Sequence, residues 1–239
     1  MDINEKLVKY NFSSRRGTPI KYIVIHDTGN TSKGSDANAH FSFFNSADRQ
    51  SSAHYFVDDT QILRIIRDED KAWHCGDGKG KYRITNENSI GIEICINING
   101  DFNIAFDKAA NLTAHLLKKY DLPLENVVRH YDASRKICPN IMSKNNWVMW
   151  DDFKYKVKNY YYGESAENSG SSNSNEIVIS DKISNFIDNV YMAFFNRIPD
   201  YQGKLFWYNK LKSRNSTLDD FVLSLMDSSE FIELKKSYF

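Results

Sequence analysis

Three side chains suited to gripping a transition metal stand at His26, His130 and Cys138. Imidazole and thiolate are preferred ligands of zinc, and three protein ligands leave the fourth tetrahedral position to water. Water held in that way ionises near neutral pH and attacks carbonyl carbon. His26 closes the apolar run KYIVIH, His130 follows VVR, and Cys138 comes later in HYDASRKICP. There is no CxxC or HExxH, and spacing alone is weak evidence that fits two core histidines and a packed cysteine better than a metal site. Glu93 interrupts the apolar run IGIEICI. Strand alternation turns it away from Ile92 and Ile94, towards solvent or towards a functional site, and an acid in such a run is unusual.

These groups need rigid elements beneath them. Residues 21–26 are short, apolar and β-branched, as a buried strand requires. Residues 52–58 and 62–66 read as two strands around a polar turn, and residues 90–96 as a further strand. Residues 127–130 form a short one. A helix is expected over 36–45, with Asp36 as its cap and Ala37, Phe41 and Phe44 on one face. Ala109, Leu112, Leu116, Leu117 and Tyr120 keep helical spacing, so an amphipathic helix is expected over 104–120. A last helix is expected over 147–160. Strands interleaved with helices make an α/β domain with a central sheet.

Residues 163–175, GESAENSGSSNSN, contain no aromatic or large aliphatic side chain and read as a flexible linker. The expected division is 1–162 as the chemistry-bearing domain, 163–176 as linker and 177–239 as a small all-helical domain. In the last part Ile183, Phe186, Ile187, Val190, Tyr191, Phe194 and Phe195 keep one stripe, and Leu218, Phe221, Val222 and Leu225 another. Ser216 with Asp219 reads as the capping box of the second stripe. Basic and acidic residues balance at 31 each, so no net charge calls for nucleic acid. No run approaches a membrane span. Three cysteines cannot build a disulfide framework, and Cys75 and Cys95 read as packed thiols. The opening MDINEKLVKYNF lacks the apolar run of a signal peptide. The expectation is a chain made in the bacterial cytoplasm.

KYIVIHDTGN, SSAHYFVDD, KAWHCGDG, NSIGIEICIN and VVRHYDASRKICPN occur in that order. Together they resemble the zinc-dependent N-acetylmuramoyl-L-alanine amidases, which include phage endolysins and autolysins and are related to peptidoglycan recognition proteins. The resemblance spans most of residues 21–140. It implies a central mixed sheet flanked by helices, with a single catalytic zinc at the floor of a surface groove, held by His26, His130 and Cys138. It implies Glu93 as proton acceptor and donor, Lys136 as a cation beside the developing oxyanion, and Tyr55 as an accessory residue near the metal. Trp73 and His74 would line the substrate groove. The implied reaction is hydrolysis of the amide joining N-acetylmuramic acid to L-alanine in peptidoglycan, with lysis of a Gram-positive host. The enzyme would reach the wall after release through a holin-made membrane hole. The alternative is a non-catalytic recognition module, although such modules typically lack the cysteine present here at Cys138.

NRIPDYQGKLFWY and the later SSEF resemble a family of small helical domains of unknown function on bacterial extracellular proteins. Arg197, Pro199, Asp200, Gly203, Trp207, Tyr208, Ser229, Glu230 and Phe231 carry that resemblance. Its place behind a linker implies a module that holds the enzyme on a cell-wall polymer.

Overall fold

A computed structural model describes residues 1–163, 174–195, 199 and 201–236. The chain divides into two compact units, Met1–Asn168 and Ser169–Phe239. The linker expected at 163–176 falls mostly on 164–173, outside the described residues, as do Arg197 and Asp200.

In chain order the first unit contains β1 (Asn4–Glu5), β2 (Phe12–Ser14), β3 (Tyr22–Asp27), α1 (Ala37–Ser46), β4 (Tyr55–Val57), β5 (Ile62–Arg64), β6 (Asp70–Ala72), β7 (Ser89–Ile94), α2 (Phe102–Lys119), β8 (Val127–Arg129), α3 (His130–Ser134) and α4 (Lys144–Gly163). Six strands form one mixed sheet in the order β1-β5-β4-β7-β3-β8, and β2 and β6 make a separate antiparallel pair. Only β4 and β5 run antiparallel in the large sheet. β3 lies between β7 and β8 and is paired along both edges, while one core cluster covers Ile23 and Ile25 on one face and another covers Val24 on the other, so all three are wholly buried. That position explains its unbroken apolar run.

The period of two then divides the labour between the faces. Ile23, Ile25, Tyr55, Val57, Ile90, Ile92 and Ile94 join the core formed with α2 and α4. Ala109, Leu112, Leu116 and Leu117 of α2 are wholly buried in it. Each buried leucine contributes about 1.5–3 kcal/mol by leaving water. Asp101 caps α2, accepting the backbone N–H of Asn103 at 2.9 Å and of Ile104 at 3.3 Å. Asp36 caps α1 as its sequence predicts, accepting from Ala39 N–H at 2.8 Å. The opposite face carries the polar groups. There His26 pairs in register with Glu93, and Glu93 with Phe56.

Boundaries moved by a few residues. The strand expected over 52–58 covers only β4, while Ser52 donates its N–H to the Trp73 carbonyl and His54 donates its N–H to the Gly91 carbonyl. The strands β1, β2 and β6 are two or three residues long and too short to show periodicity.

The second unit contains α5 (Ser174–Phe195), α6 (Tyr201–Lys212), α7 (Leu218–Met226) and α8 (Ser229–Lys236), so residues 174–176 open a helix instead of ending a linker. Ile187, Tyr191, Leu211, Phe221 and Leu225 form its core, with Trp207 and Tyr208 packed against it. The capping box before α7 is Thr217 with Asp220, one residue beyond the expected pair. Leu218, expected in the buried stripe, is exposed. Among the described residues no helix is long and apolar enough to cross a membrane.

Candidate metal centre

The carboxyl ends of β3 and β7 and the start of α3 meet at one place. His26 comes from the penultimate position of β3 and Glu93 from the matching position of β7. His130 is the first residue of α3, directly after β8. Cys138 reaches the same point from the loop after α3, where its backbone carbonyl accepts from Tyr131 N–H at 3.0 Å. Donor atoms of His26, His130 and Cys138 all lie within 4.8 Å of one another, and all three residues are buried. His26 Nδ1 is 3.6 Å from Cys138 Sγ, and the two imidazole centroids are 4.7 Å apart.

The electrostatics suit a cation that is bound by the site. Burial pushes the His26 pKa well below its ordinary value, with His130 and His74 adding to the effect. Burial also lowers His130, although Asp77 opposes this. Burial raises the Cys138 thiol, and the nearby Glu93 raises it further. Two neutral imidazoles and a thiol thus face one point, and a divalent cation there would favour the thiolate. Two nitrogens with one sulfur in a closed buried cluster is a donor set that fits zinc.

Glu93 Oε1 stands 3.9 Å from His26 Nδ1. Its Oε2 is buried with no hydrogen-bonding partner among the described residues. Burial raises the Glu93 pKa well above the usual carboxylate range, Asp27 adds to this, and Lys136 opposes it. A carboxyl group tuned upwards in this way can both take and return a proton.

A groove of about 390 Å³ opens over these groups. His26, Trp73, His74, Glu93, His130, Lys136 and Cys138 all line it, so seven of the eight expected site residues come together. Trp73 is fixed by its indole N–H donating to Ser13 Oγ at 3.1 Å. Arg135, the cation next to Lys136 in the sequence, adopts the left-handed region at φ 73° and lies over the Tyr82 ring at 4.2 Å. Lys136 is left facing the groove.

Tyr55 is the correction. It pairs with Ile92, not Glu93, so alternation sends its ring through to the α2 face. Its hydroxyl donates to Asp68 Oδ1 at 2.7 Å, deep in the protein. Tyr55 therefore plays no part at the groove. His74 is also more than a groove wall, because its Nδ1 is 3.0 Å from His26 Nε2. Residues not foreseen as part of the site stand behind the ligands. Asp77 Oδ1 is 2.8 Å from His130 Nε2. Asp27 accepts Gly29 N–H through Oδ1 and Ile141 N–H through Oδ2, tying the loop after β3 to the segment beyond Cys138.

A family model described as N-acetylmuramoyl-L-alanine amidase matches residues 16–141. This chain belongs to that family. The amidase region is 41% identical over 137 residues to N-acetylmuramoyl-L-alanine amidase XlyA of Bacillus subtilis (strain 168), covering 57% of this chain and 43% of the relative. It is 42% identical over 118 residues to CwlH of the same organism, covering 49% and 46%. The chain thus spans less than half the length of these curated relatives. The solved catalytic domain of XlyA superposes with a TM-score of 0.59 at 35% identity, covering 66% of this chain and 99% of that one. Amidases of this family are zinc-dependent in general, and the group formed by His26, His130 and Cys138 could hold a metal. A second model, a domain of unknown function (DUF4214), matches residues 165–235.

Proposed function

We propose that this chain is a peptidoglycan hydrolase that cuts the amide between N-acetylmuramic acid and the L-alanine of the stem peptide. The convergence of His26, His130, Cys138 and Glu93 in one open groove carries the reading. Zinc, when bound by the two imidazoles and the thiolate, supplies a Lewis acid that polarises a carbonyl and acidifies water. Glu93 takes the proton of the attacking water and returns it to the departing alanine nitrogen, which would otherwise leave as an unstable amide anion. Lys136 presents its ammonium to the groove and stabilises negative charge growing on the carbonyl oxygen. The indole of Trp73 offers an apolar wall to sugar or peptide. The products are a glycan strand and a free stem peptide.

The similarity to XlyA supports an endolysin or autolysin that acts on a Gram-positive wall. The second unit, which matches a domain family without an assigned activity, would hold the enzyme on a wall polymer. Digestion of purified Gram-positive peptidoglycan, followed by mass spectrometry of the new ends, tests the catalytic reading. New L-alanine amino termini should form, vanish on chelation and return with zinc. A folded, zinc-loaded protein that binds walls and cuts none would overturn it in favour of a recognition module.

A further inference from the structure

Two buried histidines face the candidate metal, and each has two ring nitrogens. Only the nitrogen without a proton can ligate, so something must select it. On His26 the choice can be followed through a chain of hydrogen bonds. Ser89 Oγ lies 2.6 Å from the Thr85 carbonyl oxygen. A carbonyl only accepts, so the single hydroxyl proton of Ser89 goes there. Ser89 Oγ also lies 3.1 Å from His74 Nε2, and with its proton committed it must accept. His74 therefore carries its proton on Nε2. Without a carboxylate at its other nitrogen, this buried ring is neutral and Nδ1 is a bare acceptor. That Nδ1 is 3.0 Å from His26 Nε2, which must then be the protonated nitrogen of His26. His26 Nδ1 is left bare, and it is the atom 3.6 Å from Cys138 Sγ.

His130 is set by a shorter route. Asp77 Oδ1 at 2.8 Å takes the Nε2 proton and leaves Nδ1 free. Both partners, His74 and Asp77, belong to the one segment between β6 and β7. Asn86 Oδ1 holds its start by accepting from the backbone N–H groups of His74 and Cys75 at 3.0 and 2.8 Å. Two glycines let it approach. A Cβ on Gly91 would stand 2.7 Å from His74 Cγ, and a Cβ on Gly78 would stand 2.1 Å from the Ala133 carbonyl oxygen in α3. The His74 ring thus lies directly on β7, and the turn carrying Asp77 lies directly on the helix that begins with His130.

We propose that Ser89, His74 and Asp77 are positioning residues that fix the tautomers of His26 and His130, so that both offer Nδ1 to the metal before any metal arrives. The segment between β6 and β7 is thereby the orienting element of the site. This rests on the reading that His26, His130 and Cys138 hold zinc.

The test is made on the full chain. Nitrogen-15 spectra of the histidine rings in the metal-free protein should show His26 and His130 protonated at Nε2. A metal-free wild type with either ring protonated at Nδ1 would overturn the proposal, and this needs no variant. Zinc affinity, read by competition with a chromophoric chelator, should fall about 10–100-fold in Ser89→Ala, His74→Leu and Asp77→Ala. His74→Gln keeps an acceptor for the His26 proton and should recover much of the loss, as should Asp77→Asn for His130. Variants that fold, by their circular dichroism, and bind zinc as tightly as the wild type would also overturn it. A wild type that takes up no stoichiometric zinc while showing the expected tautomers would instead sink the metal-site reading, which separates the two failures.

Discussion

Glu93 is half-buried beside His26, and its Oε2 is buried with no partner among the described residues. Glu93→Gln keeps the shape and removes the proton transfer. Turnover should fall about 10²–10⁴-fold, the usual worth of general acid–base catalysis, with zinc content unchanged. Release of soluble muropeptides beside elemental analysis of the same sample checks both halves. The histidines give a pH signature. Burial pushes His54 down to about 4, with Arg15 contributing, and burial lowers His26 and His74 as well. An unfolded histidine titrates near 6.5, so between about 6.5 and 4 the unfolded chain binds protons that the folded chain refuses. Stability is therefore full above this window and lost as pH falls through it, by about 3 kcal/mol for His54 alone. Glu93, raised, works in the opposite direction, one group against several. The urea midpoint of metal-free protein should drop between pH 7.5 and pH 4.5, and a constant midpoint would contradict the assignment. The convergence of His26, His130, Cys138 and Glu93 was legible in the sequence because their types are chemically narrow and their motifs occur in order. Tyr55 was misread because the face a strand residue takes depends on its register with a neighbour, which one strand does not reveal. Ser89 and Asp77 stayed hidden because their partners lie 15 and 53 residues away, across space.

At the scale of the element, α2 is the slab against which the sheet is held. Leu116 is wholly buried in the shared core, so Leu116→Ala should cost about 2–5 kcal/mol. Asp101→Ala removes only a cap and should cost about 1 kcal/mol. Denaturant unfolding would rank the two, and the reverse order would mean that α2 is not the main support. This helix was readable because about three turns of apolar spacing, from Ala109 to Tyr120, leave little choice. The strands β1, β2 and β6 were not, since a pair of residues has no period. The capping box before α7 shows a subtler limit. Ser216 with Asp219 and Thr217 with Asp220 satisfy the same pattern one residue apart, and only the structure separates them.

For the whole molecule, the division of the chain into two units agrees with two family models meeting no common residue. The proposed wall-holding role predicts a split outcome on removing residues 169–239. Cleavage of small soluble muropeptides should persist, while cleavage of intact walls at low enzyme concentration should fall, by about 10²-fold or more if the tether acts through local concentration. Equal losses on both substrates would show instead that the second unit supports the stability of the first. The helical character of this unit was legible from its stripes, but its ligand was not, because Trp207 and Tyr208 pack on its core.

The sulfur of Cys138 and the ring of His26 stand 112 residues apart along the chain. Ribosomes deliver residues in order, so the first imidazole waits for most of its unit to be made before it meets its thiol. No early fragment owns the complete donor set. A metal held by it would bind the folded chain in preference to the unfolded one, and so would act as a latch on a sheet already built.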